Sequence, residues 1–151
     1  MRYLFLFYTF LFACLFACPG QSYWIYQEAE EYYEGTNGRE QSYEKAFVLY
    51  KKAADMGNPL AEYKLALCYW KGHGVTESSR KAFKYAKKSA KKGNDRAQEL
   101  LGFLYFSGDG CKKSFKKAMR YYFRAADQGN ESAIKNLQQI GWYKKITYMM
   151  E

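Results

Sequence analysis

Small and apolar residues recur along the middle of the chain with the spacing of an amphipathic helix. Ala61, Leu65 and Tyr69 stand four positions apart, so they share one helix face. Gly72 and Gly74 follow, and glycine readily adopts the positive φ angles found at a helix C-terminus. The pattern therefore predicts a first helix that buries an Ala-Leu-Tyr face and ends at this glycine pair.

A second helix is predicted directly after this loop. Ser78 stands where an N-cap is needed, because its hydroxyl can accept a hydrogen bond from an otherwise free backbone N–H. The packing face of this helix carries Ala82, Tyr85 and Ala90, and the small alanines let two helices approach closely. Gly93 then ends the helix, and the asparagine after it is placed to cap the next one.

The whole two-helix unit recurs with a period of 36 residues. Residues 61–96 and 97–132 agree at 12 of 36 positions without a gap, whereas average residue usage predicts about two. Residues 25–60 follow the same register more weakly. A period of this length is typical of stacked helical pairs. The positions that define the second copy are Ala97, Leu101, Tyr105, Gly108, Gly110, Ala118 and Gly129.

These units resemble the Sel-1-like repeat, a branch of the tetratricopeptide-type α-solenoids. The usual pattern of that family is A-x-x-x-L-G-x-x-Y-x-x-G-x-G-V, then a capping residue, a K-A pair and a second helix ending in A-x-x-G-N. The strings that carry the resemblance are ALCYWKGHGVTESSRKAFKYAKKSAKKGN and AQELLGFLYFSGDGCKKSFKKAMRYYFRAADQGN. They depart from the pattern at Ala66, at Cys111 and in using serine where aspartate is common at the cap.

The resemblance implies an all-α fold, a right-handed α-solenoid of about three helical hairpins plus a C-terminal capping helix. We expect this repeat domain over residues 21–151, with units at about 25–60, 61–96 and 97–132 and the capping helix over 133–149. As a function it implies a non-catalytic protein–protein interaction scaffold. No cofactor or metal is expected, and we expect a monomer.

The N-terminus is predicted to be a targeting signal. Residues 3–17 are almost wholly apolar behind Met1-Arg2, and Pro19-Gly20 follows them. This run is shorter than the ~20 residues of a membrane span, so it is typical of a secretory signal peptide over residues 1–20. The alternative is a short membrane anchor that is never cleaved. Export would place the chain in the bacterial periplasm, in the outer envelope or outside the cell.

Two cleavage sites fit the signal peptide, and the sequence leaves both open. Leu15-Phe16-Ala17-Cys18 resembles the lipobox of bacterial lipoproteins, which makes Cys18 a candidate for lipidation. A cut after Gly20 would instead release a soluble chain. Export disfavours nucleic acid as a partner in either case.

One pattern points to catalysis. Ser78-Ser79-Arg80-Lys81 has the S-x-x-K form of serine β-lactamases, in which a lysine helps to activate the serine. Some exported cysteine-rich members of the Sel-1-like family are catalogued as β-lactamases, so a hydrolase of β-lactams or cell-wall peptides is the alternative function. However, the same form recurs at Ser42 and Ser114, in the register of an N-cap, and neither S-D-N nor K-T-G accompanies it.

The histidine and cysteine content limits other chemistry. His73 is the single histidine of the chain, which excludes a multi-histidine metal site, and we predict a solvated loop residue. Cys68 and Cys111 are the two cysteines beyond the leader. A seven-residue offset along stacked helices separates them by more than the Cα distance of a disulfide, so we predict two free thiols.

Charge and four aromatic residues suggest binding surfaces. The formal net charge is +9, and the second helix of the middle repeat carries seven cations and no acid between Arg80 and Lys92. Its counterpart in the next repeat carries Lys112, Lys113, Lys116, Lys117, Arg120 and Arg124. Two interpretations are open: a solvated outer face, or a basic ridge for an anionic membrane or cell-wall surface. Aromatic side chains of the predicted helices are further candidates for a protein-binding surface. These candidates are Tyr63, Trp70, Phe106 and Trp142.

Overall fold

The computed structural model describes residues 20–141, and this part of the chain contains seven α-helices and no strand. None of the described helices combines the length and the apolar character that a membrane span requires. The helices are α1 (Gln21–Glu34), α2 (Tyr43–Asp55), α3 (Pro59–Lys71), α4 (Ser79–Lys91), α5 (Asp95–Ser107), α6 (Phe115–Ala126) and α7 (Glu131–Gln139).

The helices stack as hairpins in two layers. Each helix packs on the next in the chain, and the tightest pairs are α1 with α2, α3 with α4 and α5 with α6. Side chains also join the first helices of successive hairpins directly. These links are Lys64–Glu30, Trp70–Phe103 and Asn136–Glu99. The first helices α1, α3, α5 and α7 therefore form one layer and the second helices α2, α4 and α6 the other, as the α-solenoid prediction requires.

The repeating apolar positions build the core. Leu65 and its counterpart Leu101 are fully buried, and the alanines of the repeat are buried beside them. Full burial of one leucine contributes about 1.5–3 kcal/mol. The repeating tyrosines stack in nearly parallel pairs, with ring centroids 5.6 Å apart for Tyr69–Tyr85 and 5.8 Å for Tyr105–Tyr121. The predicted role of these tyrosines in packing is confirmed.

Helix starts are capped as the sequence predicts. The Oγ atoms of Ser42, Ser78 and Ser114 accept hydrogen bonds from backbone N–H groups three residues on, at 3.3–3.4 Å. The first helices are capped instead by the side-chain oxygens of Asn58 and Asn94, with Asn130 in the same role before α7. Two alternating caps, serine and asparagine, thus set the start of nearly every helix.

The loop glycines bring consecutive hairpins together. Gly74 has a φ of +70°, and a Cβ atom there would clash with the backbone carbonyl of Tyr43 at the start of α2. Gly110 has a φ of +69° and would clash in the same way with the carbonyl of Ser79. The second glycine of each loop is therefore needed for the close approach of one hairpin to the preceding one, beyond its role in ending a helix.

Two helices begin earlier than the predicted repeat bounds. The first unit is predicted from about residue 25, but α1 already begins at Gln21. The capping helix begins at Glu131 rather than at 133, because Asn130 supplies its cap. It ends at Gln139, since Gly141 has a φ of +75° that stops a helix. The leader, Cys18 and Trp142 lie outside the described residues.

Candidate functional site

A polar cavity of about 410 Å³ opens on the first-helix layer. It lies between α3, α5 and α7, so three successive repeats contribute to it. We call it the groove. Its lining residues are Tyr63, Asp95, Arg96, Glu99, Gly129, Asn130, Glu131 and Ser132.

Two side chains of the groove are held in place by asparagines of the next unit. Asn136 donates a hydrogen bond to Glu99 Oε1 at 2.9 Å. Asn130, the cap of α7, donates to Asp95 Oδ2 at 2.8 Å. These contacts fix the two carboxylates of α5 against α7. Arg96 stands between them in the sequence and makes no ion pair within residues 20–141.

The groove is partly shielded from water, and its titratable groups respond to this. Burial raises the pKa of the Tyr63 phenol, and the carboxylate of Glu99 raises it further. Burial also raises the pKa of Glu99, against the hydrogen bond from Asn136, which lowers it. The groove thus offers neutral hydrogen-bonding groups, carboxylates and one unpaired guanidinium, a set that can bind a polar chain segment.

The repeat pattern matches a family model along most of the described helices. The model of the Sel1 repeat matches three times, at residues 26–58, 59–94 and 95–130. The chain belongs to the Sel1 repeat family. A search of curated proteins finds no match.

Solved Sel1 repeat structures superpose on this chain. It is 34% identical to c5321, a protective antigen of uropathogenic Escherichia coli strains displaying an SLR fold, with a TM-score of 0.74 over 79% of this chain and 25% of that one. It is 31% identical to a Sel1 repeat protein from Oxalobacter formigenes, with a TM-score of 0.72 over 80% of this chain and 50% of that one. The chain thus spans a quarter and a half of these two proteins.

A third structure supports the fold alone. Cysteine rich protein B of Helicobacter pylori is 22% identical to this chain, with a TM-score of 0.64 over 76% of this chain and 90% of that protein. The Sel1 family assignment and the helical solenoid therefore agree across sequence and structure. Sel1 repeats act in protein–protein interaction, which makes the groove the first surface to consider.

The predicted binding aromatics occupy different places in this Sel1 solenoid. Tyr63 lines the groove. Trp70 packs edge-on against Phe103, with ring centroids 5.4 Å apart, and serves the contact between α3 and α5. Phe106 lies at the far end of α5, 38% exposed and beside Phe115. Only Tyr63 of the described candidates therefore lies in the groove.

The polar residues of the groove could not be predicted from the repeat pattern. Tyr63, Glu99 and Lys135 stand at one register position in three units, but varying positions are common in this repeat. Some of them are buried, as Glu62 and its counterpart Gln98 are, so variation alone does not mark a binding surface. The role of Arg96 depends on its lack of a partner, which no sequence pattern reports.

The S-x-x-K serines act as helix caps. Each hydroxyl faces the backbone N–H of the lysine three residues on. The ammonium of Lys81 lies over the ring of Tyr69 at 5.1 Å, and that of Lys117 lies over Tyr105 at 5.3 Å. The lysines are thus used in cation–π contacts with the core tyrosines. The structure supports the capping interpretation of all three copies.

The prediction of a solvated His73 is wrong. Its Nδ1 lies 2.9 Å from the Tyr33 hydroxyl, and its ring stacks on Tyr43 with centroids 4.4 Å apart. Both tyrosines belong to the preceding repeat, so the histidine is half-buried between repeats. The approach of Gly74 to Tyr43 brings the loop onto α2 and places His73 there.

Both described cysteines are free thiols, in agreement with the prediction. Cys68 is buried, and burial raises the pKa of its thiol to about 11. Cys111 is half-buried and its Sγ donates to the Leu104 carbonyl at 3.4 Å. Neither thiol is activated, because a reactive cysteine needs a lowered pKa.

Proposed function

We propose that this chain is a non-catalytic scaffold that binds a protein segment in the groove. The observation that carries the proposal is the unpaired guanidinium of Arg96 beside Tyr63, in a cavity of about 410 Å³ that three repeats build together. Arg96 is exposed and has no ion-pair partner in the described structure, and Tyr63 lines the cavity while it packs against the core. A polar group that faces a cavity and is not used by the fold is available for a partner.

The charges of the groove define the chemistry of that partner. Asp95, Glu99 and Glu131 give it three carboxylates against the one cation of Arg96. A polar segment with at least one lysine or arginine would pair with these carboxylates, and its backbone carbonyls or an acidic residue would accept from Arg96. The groove therefore favours a segment of net positive charge.

An affinity capture tests this role of the groove. The full-length chain and an Arg96→Ala/Glu131→Ala variant are used to capture proteins from an envelope extract, and a Lys52→Ala/Lys71→Ala variant is the surface control. We expect a partner that binds the native chain and the control and is lost from the groove variant. Equal capture by all three chains would contradict the proposal.

We also propose export to the cell envelope or secretion, with the leader as the support. Residues 1–20 carry one charge, at Arg2, and a 15-residue apolar run over 3–17. Mass spectrometry of the protein from its producing cell tests this. A lipidated N-terminal Cys18 or a free N-terminal Gln21 would support export, and an intact Met1 in a cytoplasmic fraction would contradict it.

In an exported chain, the basic second helices would meet an anionic surface, either lipid headgroups or cell-wall polymer. The support is the cation excess of α4 and α6, which contain no acidic residue. Retention on envelope membranes or isolated wall that decreases with salt is the expected behaviour.

The alternative, a hydrolase of β-lactams or cell-wall peptides, would use a serine activated by its S-x-x-K lysine. In the structure each of these serines caps a helix, which favours the scaffold. A nitrocefin assay with the purified chain separates the two functions. Turnover that disappears in a folded Ser78→Ala variant would establish the hydrolase.

A further inference from the structure

A line of exposed cations runs along the outer side of the second-helix layer. Arg80, Lys84, Lys87 and Lys91 are separated by four, three and four positions, so they share one face of α4. Lys116 and Arg120 occupy the matching positions of α6, one period of 36 later. All six side chains are exposed. We call these six residues the basic row.

The fold does not use the basic row. None of its members makes an ion pair or a cation–π contact within the described residues. The other cations of these helices do have partners. Lys88 and Lys92 bind Glu62, Lys81 and Lys117 lie over core tyrosines, and Arg124 lies over Tyr121.

The row is also confined to the second and third repeats. The equivalent positions of α2 hold Glu44, Val48, Lys51 and Asp55. The helices α4 and α6 contain no acidic residue, and Asp127, directly after α6, is the one acid at a position that matches the row. Phe115 precedes Lys116 at one end of the row and lies beside Phe106, and both aromatic rings are exposed. Cations beside exposed aromatic rings are typical of surfaces that bind at a membrane interface.

We propose that the basic row binds a membrane surface rich in anionic phosphate headgroups and leaves the groove on the opposite helix layer open to a partner. This inference rests on the proposed export and names one of the two anionic surfaces suggested above. From Arg80 to Lys91 the row on α4 covers 12 residues, a rise of about 16 Å. Separate cations on flexible stems suit a fluid layer of phosphates, which imposes no fixed geometry.

Lysine footprinting on vesicles tests the inference with the full-length chain. The protein is labelled with an amine-reactive reagent alone, on neutral phosphatidylcholine vesicles and on vesicles containing phosphatidylglycerol, and each lysine is quantified by mass spectrometry. We expect slower labelling of Lys84, Lys87, Lys91 and Lys116 on the anionic vesicles only, and recovery at high salt. The neutral vesicles measure what the apolar leader contributes by itself.

Two variants of equal net charge test whether membrane binding depends on the basic row or only on the total positive charge of the chain. One carries Lys84→Gln, Lys87→Gln and Lys91→Gln, and the other carries Lys52→Gln, Lys71→Gln and Lys135→Gln, three exposed lysines without ion pairs in the described structure. We expect at least about tenfold weaker binding of the row variant to anionic vesicles and little change in the control.

The contrary outcomes are distinct. Equal loss in both variants would mean that net charge alone acts, and unprotected row lysines on anionic vesicles would overturn the inference. Retention on isolated cell-wall polymer without protection on vesicles would overturn it in favour of the wall. The groove variant Arg96→Ala/Glu131→Ala keeps the whole basic row and should still bind anionic vesicles. A loss of partner capture can therefore be distinguished from a loss of membrane binding.

Discussion

Glu62 is fully buried at the start of α3, and its Oε1 atom accepts a hydrogen bond from Lys92, which follows α4, at 2.8 Å. Lys88 reaches the same oxygen at 2.9 Å. One repeat later the matching positions hold Gln98 and Gln128, joined by an amide hydrogen bond of 2.8 Å. The same side-chain link between the two helices of a hairpin is therefore ionic in the second repeat and neutral in the third.

Removing the two lysine ammonium groups that bind Glu62 should destabilise the fold. In a Lys88→Met/Lys92→Met variant the buried Glu62 loses both ammonium groups, and its Oε2 already lacks a hydrogen-bond partner in the described structure. We expect a loss of about 2 kcal/mol, below the 3–5 kcal/mol of fully buried pairs because both lysines are partly exposed. Urea denaturation measures it. Adding Glu62→Gln should recover most of the loss, and no recovery would contradict the assigned cause.

Two glycines should differ in the cost of an added methyl group. Gly93 has a φ of +91° and open space around a Cβ atom, so Gly93→Ala should cost only the left-handed backbone penalty, about 1–2 kcal/mol. Gly74→Ala adds a clash with the Tyr43 carbonyl and should cost clearly more. Thermal unfolding of the two variants compares them. Equal melting temperatures would show that the loop does not need its close approach to α2.

The serine caps should act on stability alone. Ser78→Ala and Ser114→Ala each remove one hydrogen bond to a free backbone N–H, and each should cost about 1 kcal/mol. Chemical denaturation gives these values. A variant that keeps the native stability would leave the hydroxyl without the structural role assigned to it.

Stability should fall steeply in alkaline solution. Burial raises the pKa of Tyr33 to about 12, and it raises the pKa values of Tyr50 and Tyr122 further. Free tyrosine ionises near pH 10, so above that pH the unfolded chain releases protons that the folded chain retains. The stabilisation is complete below about pH 10 and is lost as the pH rises toward 12. In Tyr122→Phe, denaturation at pH 9 and 11 should differ less than in the native chain, and an unchanged difference would contradict this.

The features that repeat could be predicted from the sequence, because each depends on residues close together in the chain. The caps at Ser78 and Asn94, the buried Leu65 and Leu101 and the glycine helix ends all follow from local spacing. Because the same residues recur every 36 positions, each helix start and helix end is indicated more than once in the sequence. The period also indicates that the hairpins stack, since stacking is the way such units bury their apolar faces.

The features that join different repeats could not be predicted. The position of His73 depends on Tyr33 and Tyr43, which lie 40 and 30 residues away in the chain. The groove combines Tyr63 with residues of α5 and α7 that differ from unit to unit. Periodicity does not report such contacts, since it averages over the very positions at which the units differ.

Photo-crosslinking at position 63 shows whether a partner protein binds in the groove. The photoreactive residue p-benzoylphenylalanine is placed at Tyr63 in the groove or at Thr76 in an exposed loop, and the producing cells are irradiated. The scaffold account predicts a discrete protein adduct from position 63 that Arg96→Ala weakens, and no such adduct from position 76. A folded chain that forms no adduct at position 63, or the same adducts at both positions, would contradict the groove as the binding surface.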